Sequence, residues 1–265
     1  MSDSVLLEVR DHVAYVTLNR PEKLNGLDLP MLKGLVDASR SIAADREIRA
    51  AIVQGAGAAF SSGLDFAAVG KQPARVARAF FKFPGQTTNL FQRACWEWRE
   101  LPVPVIAVTH GRCYGGAMQL ALAADFRITT PDCEFSIMEG KWGLIPDMTG
   151  SVTLRELVPM DVAKRLTMTA ESIDGLRAKE LGLVTEVSDQ PLRDAETLIA
   201  QISTRSPDSV AATKELLHKT WHRSPRAAFW SESRLQLRLL RGANHKIARA
   251  ANFSKSDPQF RARKH

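Results

Sequence analysis

Ala50-Ala-Ile-Val53, followed by Gly55-Ala-Gly-Ala-Ala-Phe-Ser-Ser-Gly63-Leu64-Asp65, is an apolar run leading into a glycine-rich loop. The run reads as a strand buried on both faces, the kind found in α/β sheets whose loops face a ligand. An ordinary turn would look the same, because glycine tolerates positive φ. A second cluster, His110-Gly111-Arg112-Cys113-Tyr114-Gly115-Gly116-Ala117, repeats the arrangement after a β-branched run at 103–108 and opens a small-residue helix at 115–124. A helix start leaves N–H groups unpaired, and glycine lets a ligand approach the backbone closely. Amides from two such loops aimed at one point would form an oxyanion hole. Close helix–strand packing would also call for glycine at Gly115 and Gly116.

Outward from these loops, Val5–Arg10 and Val13–Leu18 flank Asp11-His12 and read as a β-hairpin. Asp28 predicts the cap of a helix with Leu32, Leu35, Val36 and Ile42 on one face. Further strands are predicted at Phe126–Thr129 and 183–187, so strands and helices alternate as in a mainly parallel, helix-covered sheet. From about Leu192 the strand signal ends, and helices are predicted at 192–204, 207–221 and 226–251. Their apolar faces need a surface, which self-association would supply. The basic segment 71–92, with Pro73, Pro84 and Gly85, reads as a mobile insertion.

With 265 residues, 45% hydrophobic, the chain can bury one sizeable core and carry a small second module. Its start lacks the basic and apolar regions of a signal peptide and no run is long enough to span a membrane, so a cytoplasmic protein is expected. Cys95, Cys113 and Cys133 show no Cys-x-x-Cys spacing, and neither disulfides nor a metal site is expected. A net charge of +7 favours an anionic ligand. The basic residues are dispersed, as in Arg234, Arg238 and Arg241 and again in Arg261, Arg263 and Lys264, without an aromatic RNA-reading motif. Nucleic acid is therefore not the expected partner.

The loops Ala59-Phe-Ser-Ser-Gly-Leu-Asp65 and Gly111-x-x-x-Gly115-Gly116-Ala117 resemble the two signature loops of the crotonase (enoyl-CoA hydratase/isomerase) superfamily. Asn19-Arg-Pro-Glu-Lys-Leu-Asn25, Ala123-Ala-Asp-Phe-Arg127, Phe135-x-x-x-Glu139 and Gly143-Leu-Ile-Pro146 follow in the family's order, so the resemblance covers essentially the whole chain. It implies an α/β fold: a crotonase-type spiral of stacked ββα turns over residues 1–205, for acyl-CoA binding and catalysis, and a C-terminal helical trimerisation region over 206–265. A homotrimer or dimer of trimers follows from it. It also implies an enzyme of fatty acid or lipid metabolism acting on the double bond of an unsaturated acyl-CoA. CoA would enter as part of the substrate, with no separate cofactor.

Residue by residue, the resemblance implies oxyanion amides at Leu64 and Gly116. Gln119 stands where the hydratases carry the first of two glutamates; it can orient water or substrate but cannot exchange a proton. Glu139 matches the second glutamate, the general base and acid, with apolar neighbours Phe135, Ile137 and Met138 that favour its protonated form. Asp147, eight residues on, matches the second carboxylate of the dienoyl-CoA isomerase branch, and would serve equally to cap a helix near 148–150. Ala59, Ser61, Ser62, Gly63, Leu64 and Asp65 would grip the adenine and pantetheine, with Arg20, Lys23 and Lys255 as candidate phosphate contacts. Isomerisation is the favoured reading and hydration by Glu139 alone the alternative. A non-catalytic CoA-ester or RNA-binding protein is the alternative from another class.

Overall fold

The amino-terminal hairpin forms where the sequence places it: in the computed structural model, which describes residues 3–264, β1 (Val5–Arg10) pairs antiparallel with β2 (Val13–Leu18). Asp11 and His12 both have positive φ, 48° and 65°. A two-residue loop of that kind matches the strand twist. Then come α1 (Leu29–Ala44), β3 (Ala50–Gly55), α2 (Phe66–Gly70), α3 (Pro73–Phe80) and α4 (Leu90–Glu100). The next turns contain β4 (Val105–Thr109), β5 (Arg112–Tyr114), α5 (Gly116–Ala123), β6 (Phe126–Thr129) and β7 (Glu134–Ser136). They are followed by α6 (Gly150–Leu157), α7 (Met160–Thr169), α8 (Gly175–Glu180) and a short β8 (Glu186–Val187). Four helices end the chain: α9 (Pro191–Ser203), α10 (Pro207–Thr220), α11 (Pro225–Leu240) and α12 (Ala243–Ser254).

The larger sheet runs β1-β2-β3-β4-β6-β8 and is parallel from β2 onward. A small parallel sheet of β5 and β7 is extended by bridges between Ser61 and Cys113 and between Phe135 and Ile173. The turns β4-β5-α5 and β6-β7-α6 thus each lay one strand in the large sheet and one in the small sheet before entering a helix, and the β3 turn reaches the small sheet through Ser61, in keeping with the expected spiral of ββα turns. Side chains alternate along a strand. Ala51, Val53, Val105 and Ala107 enter the main core, while Ile52, Ile106, Val108 and Ile128 lie beneath Ala195 and Ile199 of α9. Covering both faces explains why β3 and β4 read as continuous apolar runs.

Several boundaries differ from the sequence reading. The run at 103–108 pairs only from Val105, since Pro104 has no N–H to donate. Of 183–187 only Glu186–Val187 is strand, because the Leu183 and Val184 amides turn back to the Ala178 carbonyl. Part of the expected mobile segment 71–92 folds as α3, entered through Pro73 at its first turn. The span 226–251 is two helices broken at Gly242.

The C-terminal helices are fastened to the spiral by buried cations. Lys214 Nζ donates to the Asp125 carboxylate at 2.6 Å and to the Trp98 and Val103 carbonyls at 3.3 and 2.9 Å. Arg263, part of the basic surplus in the sequence, is buried and donates to the Ile42, Ala43 and Asp45 carbonyls at the end of α1. Those carbonyls have no intrahelical partner. Burial, with the neighbouring Arg99, pushes His218 down to about 4, so it is neutral at pH 7 and cannot replace Lys214 beside Asp125. Lys214→Met is expected to cost about 3 kcal/mol, because it leaves Asp125 without its cation. Adding Asp125→Asn should recover part of the loss; urea unfolding measures both, and an unchanged midpoint for Lys214→Met would deny the fastening role.

Candidate active site

The first glycine loop is shaped by Asn25, which is fully buried at φ 54°. Its Nδ2 donates to the Ala56 and Ala59 carbonyls, both at 2.8 Å, and its Oδ1 accepts the Arg20 N–H at 2.8 Å. Ser61 Oγ donates to the Asn25 carbonyl at 2.7 Å and accepts the Gly63 N–H at 3.2 Å. Arg20 clamps the same loop through Asp28 at 3.2 Å, Asp65 at 3.1 Å and the Gly26 carbonyl at 2.5 Å. Burial raises the Asp65 carboxyl, but the Ala68 amide and Arg20 outweigh it and hold Asp65 below its ordinary value.

The loop ends on an unsatisfied donor. Leu27 donates to the Gly63 carbonyl and Asp65 to the Leu27 carbonyl, leaving the Leu64 N–H between them without an acceptor among the described residues. At Gly63, with φ 86°, a Cβ would lie 2.7 Å from the Tyr114 carbonyl and 3.7 Å from Gly115 Cα. The two glycine loops therefore touch. In the second loop the Gly115 amide bonds the Ser136 carbonyl, and Gly116, the first residue of α5, has no acceptor for its N–H among the described residues. Any Cβ at Gly116 would fall 2.6 Å from Met148 Sδ.

Glu139 comes from a 3-10 turn at Met138–Trp142, and its Oε1 lies 3.5 Å from where a Gly115 Cβ would stand. The carboxylate thus sits at the start of α5, beside the Gly116 amide. It is 9% exposed; Oε1 accepts from Gln119 Nε2 at 2.6 Å, while buried Oε2 has no partner. Burial raises its pKa above the ordinary value; its own backbone N–H and Gln119 oppose this, and Asp147 adds to it. Asp147, half-buried, is raised by burial against the pull of its own N–H. The buried Cys95 thiol of α4 is pushed up by burial first, with the Asp147 and Glu139 carboxylates adding to it.

The expected site residues fall into three groups. Leu64, Gly116, Gln119, Glu139 and Asp147 gather around the junction of the loops. Asp147 does not cap α6: the cap residue is Thr149, without a side-chain bond, and the Gly150 amide goes to Gln119 Oε1 at 2.8 Å. In the loop expected to grip CoA, several polar groups are engaged within the protein. Ser61 and Gly63 have both backbone polar groups engaged within the protein, the Ala59 carbonyl is held by Asn25, the Ser62 amide by Leu24, and Asp65 by Ala68 and Arg20. Arg20 faces two carboxylates and is a clamp rather than a free cation. Lys23 and Lys255 are exposed. Asn25, Met148, Gly150 and Cys95 were missed as site residues. Only Asn25-Gly26 carries a local signal, as a turn pair that tolerates positive φ. Trp142 is 61% exposed and packs against Phe66 at 4.5 Å, linking the Glu139 segment to the first loop.

The profile of the enoyl-CoA hydratase/isomerase family matches residues 8–263. The chain is 34% identical over 214 residues to (E)-benzylidenesuccinyl-CoA hydratase of Thauera aromatica, covering 80% of each protein. It is 32% identical to the mitochondrial Delta(3,5)-Delta(2,4)-dienoyl-CoA isomerase of Mus musculus, over 85% of this chain and 73% of that one. Among solved structures, a putative enoyl-CoA hydratase from Streptomyces coelicolor A3(2) superposes with a TM-score of 0.88 at 29% identity, covering 98% of this chain and 94% of that one.

A carboxyl whose folded pKa is raised binds more protons in the native state, so its contribution to stability falls as pH rises from the ordinary value of 4.5 through the folded one. Glu139→Gln removes that ionisation. The variant is expected to unfold at a higher temperature than wild type at neutral pH, with the difference vanishing below pH 4.5. A gain that persists unchanged in acid would assign it to packing instead.

Proposed function

Because the chain belongs to the enoyl-CoA hydratase/isomerase family, we propose that it is an acyl-CoA enzyme that moves a double bond, with a 3,5-dienoyl-CoA as the substrate type its carboxylates suit best. The observation that carries this reading is the meeting of two unpaired amides, Leu64 and Gly116, beside a buried carboxylate with one free oxygen. A thioester carbonyl placed between the amides would be stabilised as it becomes an enolate, in a site where uncompensated charge is costly. Glu139 Oε2 takes the α-proton. Asp147, which burial inclines towards its protonated form, delivers a proton to the far end of the dienolate. One proton leaves C2 and one joins C6, so the substrate keeps its composition and needs no cofactor beyond its own CoA.

Hydration is the second reading, favoured by the hydratase activity for which the Thauera aromatica relative is named. Gln119 counts against it: the amide cannot exchange a proton, and at 2% exposure its oxygen and nitrogen are bound to Gly150 and Glu139. A trimer or dimer of trimers remains the proposed assembly, and exposed Trp221, Phe229 and Trp230 at 63, 62 and 73% support a partner surface on the C-terminal helices.

Offering crotonyl-CoA, a 3-enoyl-CoA and a 3,5-dienoyl-CoA to wild type and Asp147→Asn tests the reading. Asp147→Asn is expected to lower dienoyl isomerisation by about 100-fold or more while sparing the 3-enoyl reaction. Full dienoyl activity in that variant, or crotonyl-CoA hydration as the fastest wild-type reaction, would overturn it. Glu139→Gln should lower every reaction by about 100- to 10,000-fold.

A further inference from the structure

The two oxygens of Glu139 are treated differently by the fold. Oε1 receives the Gln119 amide at 2.6 Å, whereas Oε2 is buried without a partner. Gln119 is in turn held: its own Oε1 accepts the Gly150 N–H at 2.8 Å at the first residue of α6. That bond decides which way round the side chain sits, since an oxygen facing a donor leaves the NH2 group facing Glu139. Thr149 supplies no cap to α6, so Gln119 performs the capping from α5. Gly150 leaves the room for it. A Cβ there would stand 2.9 Å from Gln119 Oε1 and 2.9 Å from Pro146 Cβ.

We propose that Gly150 and Gln119 form a positioning relay for Glu139, in which the start of α6 orients the Gln119 amide, the amide occupies Oε1, and Oε2 is left as the oxygen that takes the substrate proton. This rests on Glu139 being the base, as argued above. It also gives a reason for glutamine at 119. A glutamate would still accept from Gly150, but it would set a second carboxylate at hydrogen-bond distance from Glu139, and one of the two would have to hold a proton. The neutral donor instead keeps a buried carboxylate available as a base. The other titratable groups acting with Glu139 are Asp147, on the segment leading to α6, and the Cys95 thiol of α4. Both oppose its ionisation when charged.

The test is carboxyl titration by 13C NMR of protein labelled at glutamate, with the Glu139 signal identified by its loss in Glu139→Gln. Gln119→Met removes the donor, and Gly150→Ala pushes the amide aside with a single methyl group. Both are expected to raise the Glu139 pKa by about one unit. Both should lower kcat/KM by about 100-fold, with the acid limb of its pH profile moving the same way. Gln119→Glu keeps an acceptor for Gly150, so it guards against loss of folding in the other two; its carboxylate pair should retain a proton to higher pH than Glu139 does in wild type. A folded Gly150→Ala or Gln119→Met with an unmoved Glu139 titration would overturn the relay, as would a Gln119→Glu pair titrating like wild type. The titration needs no substrate. Shifted titrations in a protein that turned over no unsaturated thioester would uphold the relay and reject the proposed reaction.

Discussion

The close contact between Gly63 and the Tyr114 carbonyl is the constraint on which the site depends. A side chain at Gly63 would meet that carbonyl at 2.7 Å, so only glycine lets the two loops touch. Contact places the residue after each loop's last glycine turn, Leu64 in one and Gly116 in the other, next to the same space with its amide unpaired. Leaving two amides unsatisfied at a partly buried position is unfavourable, and the cost is offset by the network that fixes them. Asn25 holds the first loop by two side-chain bonds and ties it to the Arg20 amide by a third, Arg20 pairs with Asp28 and Asp65, and the Gly115 amide ties the second loop to Ser136.

The spiral brings these segments together by stacking successive turns. Gly63 follows β3, Gly116 follows β5 and Glu139 follows β7, and β3 neighbours β4 just as β5 neighbours β7. Loops from consecutive turns therefore open on one side, and residues 75 positions apart in sequence, such as Leu64 and Glu139, share a site. Membership of the enoyl-CoA hydratase/isomerase family agrees with this arrangement. What the site holds locally is one buried carboxylate, Glu139, a neutral amide at Gln119 bonded to it, and a half-buried carboxyl at Asp147, the arrangement from which the proposed reaction is argued.

The strands were readable in the sequence because both faces of β3 and β4 are covered, and apolar runs survive in the order of residues. The glycine loops were readable as close approaches, and the family resemblance supplied their partners. What was not readable depends on distant side chains. Nothing near Arg20 announces that Asp28 and Asp65 will pair with it, so the clamp it forms on the first loop was not foreseen beside its expected phosphate contact. Asp147 precedes a helix and reads as its cap, but the cap comes from Gln119, 31 residues before the Gly150 amide it accepts. The late strand shrank because two of its amides turn to Ala178, a choice made by the tertiary path rather than by the β-branched composition.

The account turns on the Leu64 and Gly116 amides polarising a thioester. The measurement that tests it most directly is the 13C chemical shift of the carbonyl of an unsaturated acyl-CoA, labelled at C1 and bound to Glu139→Gln, where chemistry is blocked but the amides remain. Donation from both amides predicts a clear downfield shift on binding, abolished in a folded Gly116→Pro form of the same protein. A bound carbonyl with the shift of the free thioester would contradict the account.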